Sequence, residues 1–174
     1  MLLVGGASTR FGSPKALARI GGETLAERAW RLLGEVCDER LAVGKTADGL
    51  ELPFELIDDG STVRAPLAGL VAGLRAARTD VAVVIPVDLP LLTAGALHEL
   101  AARCKDAAVP PSGPLPGAYR RSALPALERA LAAEALRLRD VLEQLDVAVV
   151  SIDETQLANV NKPTDLERLA RMAP

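Results

Sequence analysis

Residues 81–88 read VAVVIPVD and carry the strongest structural signal in the chain. Val81–Val87 is almost entirely apolar, and the run stops at the carboxylate of Asp88. A strand that is apolar on both faces is typical of the middle of a parallel sheet, where helices cover both sides. We therefore expect a buried central strand here, with Asp88 emerging at its carboxyl end.

Apolar runs and amphipathic stretches alternate on both sides of this strand. Further strands are expected at Leu2–Val4, Arg40–Val43, Phe54–Ile57, Ala107–Val109 and Val147–Ile152. Helices are expected at Leu25–Val36, from Pro66, from Thr93, and at Ala123–Ala132, Leu136–Leu145 and Thr164–Met172. This alternation predicts an α/β protein, a three-layer α/β/α sandwich whose central sheet is mostly parallel. Residues 110–117 are expected to form a loop or mobile flap inside a single domain that spans residues 1–174.

The composition excludes several classes of protein. The 174 residues carry a formal net charge of −3 and 2% aromatic residues, so the chain lacks the basic surface and stacking platforms of a nucleic-acid binder. The single histidine, His98, excludes a multi-histidine metal site, and two distant cysteines exclude a disulfide-rich scaffold. The apolar runs fall short of the ~20 residues of a membrane span, and residues 1–4 lack the length and charged leader of a signal peptide. We therefore expect a cytoplasmic protein that binds neither nucleic acid nor membrane.

The first expected strand leads into a loop rich in glycine, hydroxyl and cationic residues. Residues 5–15 read GGASTRFGSPK, directly after Leu2–Val4. Glycines let backbone N–H groups approach an anion closely, Arg10 offers a planar fork for phosphate oxygens, and Lys15 offers a point charge. The spacing matches neither the P-loop nor the G-x-G-x-x-G fingerprint of dinucleotide-binding folds. Two cations at the end of a buried strand favour a phosphate site over an ordinary surface loop.

Acidic and amide residues follow other expected strands, at the edge where ligands of open α/β sheets bind. Asp88 is well placed to hold Mg²⁺ beside phosphate oxygens, since magnesium usually takes one or two carboxylates plus the substrate. The alternative role for Asp88 is a loop or helix-cap hydrogen bond. Asp58 and Asp59 are neighbours in extended chain, so their side chains face opposite ways and only one can enter a common site. Asn159 and Asn161 alternate on an extended stretch, so both amides can face one side.

These motifs resemble those of the nucleotidyltransferases that activate small phosphorylated molecules with a nucleoside triphosphate, and among them the molybdenum cofactor guanylyltransferases. The pattern G-G-x-S-x-R-x-G-x-x-K after the first strand is shared with cytidylyl-, uridylyl- and guanylyl-transferring relatives. The likeness continues through Asp59, the PLAGL of residues 66–70 and the VDLP of residues 87–90. The sequence NVNKPTD at residues 159–165 favours the molybdenum cofactor branch.

The resemblance implies a Rossmann-like nucleotidyltransferase that uses GTP, Mg²⁺ and molybdopterin carrying molybdenum. The residues it implies for the nucleotide are Leu3, Val4, Gly5, Gly6, Ser8, Arg10, Lys15, Asp59 and Asp88. Arg10, Lys15 and Asp88 are the expected catalytic groups, and Asp88 is also the expected metal ligand. Asn159 and Asn161 are expected to bind the acceptor. We expect a monomer, and the family implies further proteins that deliver or accept the cofactor.

Two positions depart from the family pattern and keep alternatives open. Ala65 stands where the family usually has glycine before PLAG, and the usual asparagine after the second strand is replaced around Gly44 and Lys45. A cytidylyltransferase of the same cofactor, or a transferase for a sugar or alcohol phosphate, would share the chemistry and differ around the base. A catalytically inactive nucleotide-binding protein is the alternative of another class, against which the cations of the glycine loop and Asp88 argue.

Overall fold

A seven-stranded sheet forms the centre of the computed structural model, which describes residues 1–5 and 14–170 and, for residue 170, the backbone alone. The strands in chain order are β1 (Leu2–Val4), β2 (Arg19–Ile20), β3 (Glu23–Thr24), β4 (Ala42–Gly44), β5 (Leu56–Asp58), β6 (Val81–Pro86), β7 (Ala107–Val109), β8 (Gly117–Arg120) and β9 (Val147–Val149). Strands β2 and β3 form a separate hairpin, and the sheet has the order β5-β4-β1-β6-β8-β7-β9. Its pairings are parallel except for those of β8, which is antiparallel to β6 and β7. The prediction of a mostly parallel α/β sheet is confirmed.

Helices pack on both faces of this sheet. They are α1 (Leu25–Gly34), α2 (Pro66–Ala76), α3 (Ala94–Ala102), α4 (Leu124–Ala132), α5 (Leu138–Leu142) and α6 (Pro163–Ala170). Helices α2, α4 and α5 share one core with Leu3 and Val84, whereas α1 and α3 share the opposite core with Leu2 and Ile85. Successive residues of a strand point to opposite faces, so the unbroken apolar runs of β1 and β6 supply both cores. The expected three-layer sandwich is therefore confirmed. Within the described ranges, no helix is long and apolar enough to cross a membrane.

Local sequence signals set the starts of three helices. Thr24 Oγ1 accepts a hydrogen bond from the Glu27 backbone N–H at 3.1 Å, and the Glu27 carboxylate accepts one from the Thr24 N–H at 2.7 Å, a capping box that begins α1. Thr93 Oγ1 accepts from the Ala96 N–H at 3.3 Å and begins α3. Pro66 occupies the first turn of α2, where its missing N–H costs no hydrogen bond. All three starts agree with the sequence prediction.

The sequence prediction fails at β8. The strand reads GAYR, with no β-branched residue and no alternation of polar and apolar positions, yet it lies between β6 and β7. Its Tyr119 is fully buried, and burial raises the pKa of the phenol. The Tyr119 hydroxyl donates to the carbonyl oxygen of Pro114 at 2.6 Å. This bond fastens residues 110–117, which the sequence predicts as a loop or mobile flap, to the centre of the sheet.

A third and smaller core attaches α6 to the β2–β3 hairpin. Ile20, Leu25, Val160 and Leu169 are buried together in it. The Val160 N–H donates to the carbonyl oxygen of Asp88 at 2.9 Å, so this core is fixed to the chain just beyond β6. The helix expected at Thr164–Met172 begins one residue earlier, and residues 171–174 lie outside the described part of the chain. Residues 159–161 are thereby held at the carboxyl edge of the sheet.

Candidate active site

Two adjoining cavities lie at the carboxyl edge of β1, β4, β5 and β6. The large cavity has a volume of about 510 Å³, and Lys15 and Asp88 are among its lining residues. The small pocket has a volume of about 120 Å³ and is lined mainly by apolar residues from β1, β4 and the start of α2. Gly5, Arg64 and Pro66 line both, so the two spaces are continuous. Ligands of open α/β sheets bind in this position.

Three predicted site residues from distant parts of the chain meet at the large cavity. The ammonium group of Lys15 donates to Asp88 Oδ2 at 3.1 Å and to Asn161 Oδ1 at 3.4 Å. Lys15 and Asn161 are 146 residues apart in sequence. The Lys15 and Asp88 side chains are 19% and 23% exposed, so a ligand in the cavity can reach both.

The start of α6 presents Asn161 to Lys15. The Asp165 carboxylate accepts hydrogen bonds from the backbone N–H groups of Asn161 and Lys162 at 2.8 and 2.9 Å, which lowers the pKa of Asp165. This bonding uses the backbone of Asn161 and leaves its amide directed at the ammonium of Lys15. Asn159 is exposed, and among the described contacts its side chain has none with Lys15 or Asp88. The structure thus joins Asn161, but not Asn159, to the Lys15–Asp88 pair.

A second lysine–aspartate pair lies in the small pocket. Lys45 Nζ donates to Asp59 Oδ1 at 2.5 Å and also to the carbonyl oxygen of Ser61. The Ser61 N–H donates to the same Asp59 oxygen at 2.9 Å. The Lys45 and Asp59 side chains are only 11% and 7% exposed, so this pair is more buried than Lys15–Asp88. Lys45 lies where the sequence departs from the family pattern, around Gly44 and Lys45, and the sequence analysis assigned it no role.

Asp58 and Asp59 have different surroundings, as their alternation predicts. Asp58 is exposed, and its carboxylate accepts from the Thr46 hydroxyl at 2.6 Å, the Thr46 N–H at 2.8 Å and the Gly60 N–H at 2.8 Å. These bonds, above all that of the Thr46 hydroxyl, lower the pKa of Asp58 to about 2. Asp58 therefore orders the chain after β4 and β5, and Asp59 is the aspartate of the two that lines the small pocket.

Arg64 is a cation that the sequence analysis missed. Its guanidinium donates to both carboxylate oxygens of Asp48, at 2.6 and 3.0 Å, which raises the pKa of Arg64 and lowers that of Asp48. Arg64 lies just before α2, whose amino end favours anions. Ligands of open α/β sheets bind beyond the carboxyl ends of the strands, and Arg64 lies beyond the end of β5, so the same rule would have indicated it.

The remaining predicted residues divide between the small pocket and the glycine loop. Leu3, Val4 and Gly5 line the small pocket at the end of β1. Gly6, Ser8 and Arg10 lie outside the described residues. Ala65, the residue in place of the family glycine, is in the extended conformation at φ −140° and ψ 147°, which any residue adopts. That departure therefore imposes no strain on the backbone.

An open α/β sheet that receives a ligand beside a glycine loop is the architecture of the nucleotidyltransferases, and comparison with known proteins places the chain in that class. A family model described as the MobA-like NTP transferase domain matches residues 1–149. The chain belongs to this family.

Relatives of known sequence and structure extend this result over almost the whole chain. A probable molybdenum cofactor guanylyltransferase of Chloroflexus aggregans is 35% identical, over 96% of this chain and 90% of the relative. The crystal structure of molybdopterin-guanine dinucleotide biosynthesis protein A from Archaeoglobus fulgidus superposes with a TM-score of 0.80 at 27% identity, covering 98% of this chain and 96% of the other. A cytidylyltransferase for 2-C-methyl-D-erythritol 4-phosphate from Thermus thermophilus has a TM-score of 0.73 at 23% identity, covering 98% of this chain and 97% of the other, and shares the fold.

Proposed function

We propose that this protein transfers the GMP group of GTP to the phosphate of molybdopterin carrying molybdenum, releasing pyrophosphate and forming the guanine dinucleotide cofactor. The observation that carries the proposal is the meeting of Lys15, Asp88 and Asn161 at a cavity continuous with a small apolar pocket. The named activity of the Chloroflexus aggregans relative supports the choice of substrates. Because Asn161 lies beyond the residues matched by the family model, we propose that residues 1–174 act as one domain.

The two cavities suit different parts of the nucleotide. Pockets for whole drug-sized ligands have volumes of about 300–1,000 Å³. The large cavity of 510 Å³ falls in that range and takes the triphosphate and the acceptor phosphate. The small pocket of 120 Å³ takes a single ring system, the base, against Leu3, Val4 and Gly5.

The proposed reaction needs alignment and charge neutralisation, and it needs no general base. The second pKa of a phosphate monoester is near ~6, so the acceptor phosphate is largely dianionic at neutral pH. One of its oxygens attacks the α-phosphorus of GTP in line, a new P–O bond forms, and the bond to the β-phosphate oxygen breaks as pyrophosphate leaves. Lys15, Arg10 and the backbone N–H groups of Gly5 and Gly6 are the groups that hold the phosphates in this arrangement.

The surroundings of Asp88 fit a magnesium ion bound together with substrate. Its carboxylate is 23% exposed and lines the large cavity, so an ion and phosphate oxygens can approach it. In the part of the chain that the structure describes, no group of three or more His, Cys, Asp or Glu side chains could hold a metal. Asp88 would therefore hold Mg²⁺ with the remaining ligands supplied by phosphate and water, as magnesium commonly prefers. When bound, the ion neutralises negative charge on the α- and β-phosphates.

The acceptor lies at the edge of the large cavity near Asn161, which contacts the cavity residue Lys15. Asn161 and Asn159 offer amide donors and acceptors to molybdopterin there. We place the reaction in the cytoplasm, in keeping with the two free thiols of Cys37 and Cys104. The protein acts as a monomer that receives the labile cofactor from a delivering protein.

A nucleotide-binding panel followed by a turnover assay tests this function. The melting temperature is measured with GTP, CTP, UTP and ATP, each with Mg²⁺, and we expect stabilisation by GTP above the other three. Pyrophosphate release is then measured with and without molybdopterin carrying molybdenum, and we expect release only with the acceptor. Selective stabilisation by CTP would instead support a cytidylyltransferase. GTP binding without acceptor-dependent release would support a nucleotide-binding protein that has lost catalysis.

A further inference from the structure

The Lys45–Asp59 pair forms a polar patch in the wall of an otherwise apolar pocket. The residues around it include Leu3, Val4, Val43, Gly69 and Leu115. Lys45 and Asp59 are joined to each other and to both backbone polar groups of Ser61, which fixes the position of each side chain. A buried charge pair with this many bonds presents the same face to every ligand that enters the pocket.

The shape of the backbone makes Lys45 the first residue after β4 whose side chain lies in this wall. Gly44 lies beside Val4 in the parallel register of β1 and β4. A Cβ atom on Gly44 would overlap the carbonyl oxygen of Val4, so the strand end requires glycine. The Asp59 N–H also donates to the Gly44 carbonyl oxygen at 2.9 Å, which brings the ends of β4 and β5 together. The first side chain after this contact is that of Lys45.

The chemistry of the pair is asymmetric. A lysine ammonium can only donate hydrogen bonds, and an ionised carboxylate can only accept them. Guanine presents the complementary edge, a keto oxygen at C6 beside the N1–H and the 2-amino group. In adenine and cytosine an amino group takes the place of that keto oxygen and a ring acceptor the place of the N–H, so the order is reversed.

We propose that Lys45 selects keto bases over amino bases, by donating to the C6 keto oxygen of guanine while Asp59 accepts from the adjacent N1–H. This inference rests on the proposed function, and it adds a residue in which this chain departs from the family pattern. A base with an amino group at the same place meets a group that can only donate. Discrimination then arises from an unfavourable donor–donor contact as well as from the lost bond.

Three nucleotides separate the role of Lys45 from a general loss of charge. GTP and ITP both have the C6 keto oxygen and the N1–H, whereas 2,6-diaminopurine riboside triphosphate has an amino group at C6 and keeps the 2-amino group of GTP. Dissociation constants are measured by calorimetry with Mg²⁺ for the wild type and Lys45→Met. We expect Lys45→Met to weaken GTP and ITP by about tenfold to a hundredfold, and to bind the diaminopurine nucleotide as tightly as the wild type or more tightly, because the donor–donor contact is removed.

A matched control and a second variant complete the experiment. Lys105→Met removes a lysine from an exposed pair with Asp146, far from the pocket, and is expected to change none of the three affinities. Should Lys45→Met fail to fold, Lys45→Gln serves, because its amide can face either a keto oxygen or an amino group. We expect Lys45→Gln to reduce the preference for GTP over the diaminopurine nucleotide about tenfold or more, with the remaining preference due to Asp59, which still accepts from the N1–H of guanine.

The outcomes distinguish this inference from the function on which it rests. The role of Lys45 would be overturned if Lys45→Met weakened all three nucleotides equally or changed none of them. It would also be overturned if Lys45→Gln preferred GTP over the diaminopurine nucleotide as strongly as the wild type does. If the wild type shows no preference for GTP over CTP, UTP and ATP, the proposed function fails first. If the wild type prefers GTP and Lys45→Met keeps that preference in full, the proposed function is retained and only the role of Lys45 is rejected.

Discussion

The carboxyl edge of the sheet carries two lysine–aspartate pairs that differ in exposure and in the size of the cavity that each pair lines. Lys15 and Asp88 are 19% and 23% exposed at a 510 Å³ cavity, and their contact is 3.1 Å long. Lys45 and Asp59 are 11% and 7% exposed at a 120 Å³ pocket, and their contact is 2.5 Å long. Ser61 binds both members of the second pair through its backbone.

This difference separates two kinds of work. An open pair can exchange its partner for a phosphate or a metal ion, because its side chains are partly exposed at a large cavity. The Lys45–Asp59 pair is closed, because several hydrogen bonds hold it in a medium of low dielectric. Its geometry therefore stays fixed, and a ligand that matches this geometry is recognised by it. The first pair therefore suits chemistry and the second suits recognition.

The largest effect is expected from the open pair. Asp88→Asn should lower turnover about a thousandfold or more, since it removes the proposed magnesium ligand and its charge from the reacting phosphates. Pyrophosphate release at saturating GTP and Mg²⁺ measures this. The melting temperature should change less than for the loss of the more buried Lys45–Asp59 pair, because the Lys15–Asp88 pair is partly exposed and Asn161 still contacts Lys15.

The control for this variant lies before the opposite end of the same strand. Asp80 precedes β6 and pairs with Arg120 on the surface, so Asp80→Asn removes an aspartate of equal charge away from the cavity. We expect Asp80→Asn to turn over at the wild-type rate. Wild-type turnover by Asp88→Asn would remove the metal role from Asp88.

The closed pair is expected to dominate stability. Asp59→Ala leaves Lys45 buried without its carboxylate, and breaking a buried pair from one side costs about 3 kcal/mol or more in the free energy of unfolding. Urea denaturation of Asp59→Ala beside Lys15→Ala measures the difference, and Lys15→Ala should cost about 1 kcal/mol or less. Equal losses in the two variants would show that the pairs do not differ in the way their burial indicates.

A smaller effect is expected on nucleotide binding from the lysine of the open pair. Lys15→Ala should weaken GTP about tenfold to thirtyfold, since a charge-assisted bond to phosphate is lost. The loss should shrink as salt is raised, because the site is open to screening ions. Lys105→Ala is the matched control on the surface. An unchanged dissociation constant for GTP would argue against a phosphate site at the glycine loop.

The smallest effect concerns the exposed aspartate beside the closed pair. The pKa of Asp58 is lowered to about 2, so its bonds to Thr46 and Gly60 stabilise the fold above the ordinary value of 3.8 and lose their effect as pH falls through about 2. Asp58→Asn should lower the melting temperature at pH 7, and the difference from wild type should diminish between pH 4 and pH 2. The exposed Asp38→Asn serves as the control for the removal of one negative charge from the surface. A constant difference over this range would assign the effect to packing.

The sequence predicts the sheet and one side of the site, and physical reasons limit the rest. An apolar run such as β6 indicates a buried strand by itself. Because ligands of open α/β sheets bind beyond the carboxyl ends of strands, the end of β6 then indicates Asp88 as a site residue. The strand β8 gives no such signal, because GAYR is buried through its neighbours in the sheet and not through its own pattern. The bonds of Lys45 depend on how closely the ends of β1, β4 and β5 approach one another. A short stretch of sequence carries no information about that distance. The contact of Asn161 with Lys15 was not predicted, since spacing alone cannot bring together residues 146 apart.

The contact between Lys15 and Asn161 also has a consequence for the synthesis of the protein on the ribosome. At a translation rate of about 5–20 residues per second, the 146 residues between them take about 7–30 s to synthesise. During that interval the nascent chain contains Lys15, and later also Asp88. Val160 is not yet bonded to the Asp88 backbone, and α6 is not yet packed on the β2–β3 hairpin. The growing protein is therefore unable to complete this edge of the sheet until synthesis has passed Asn161.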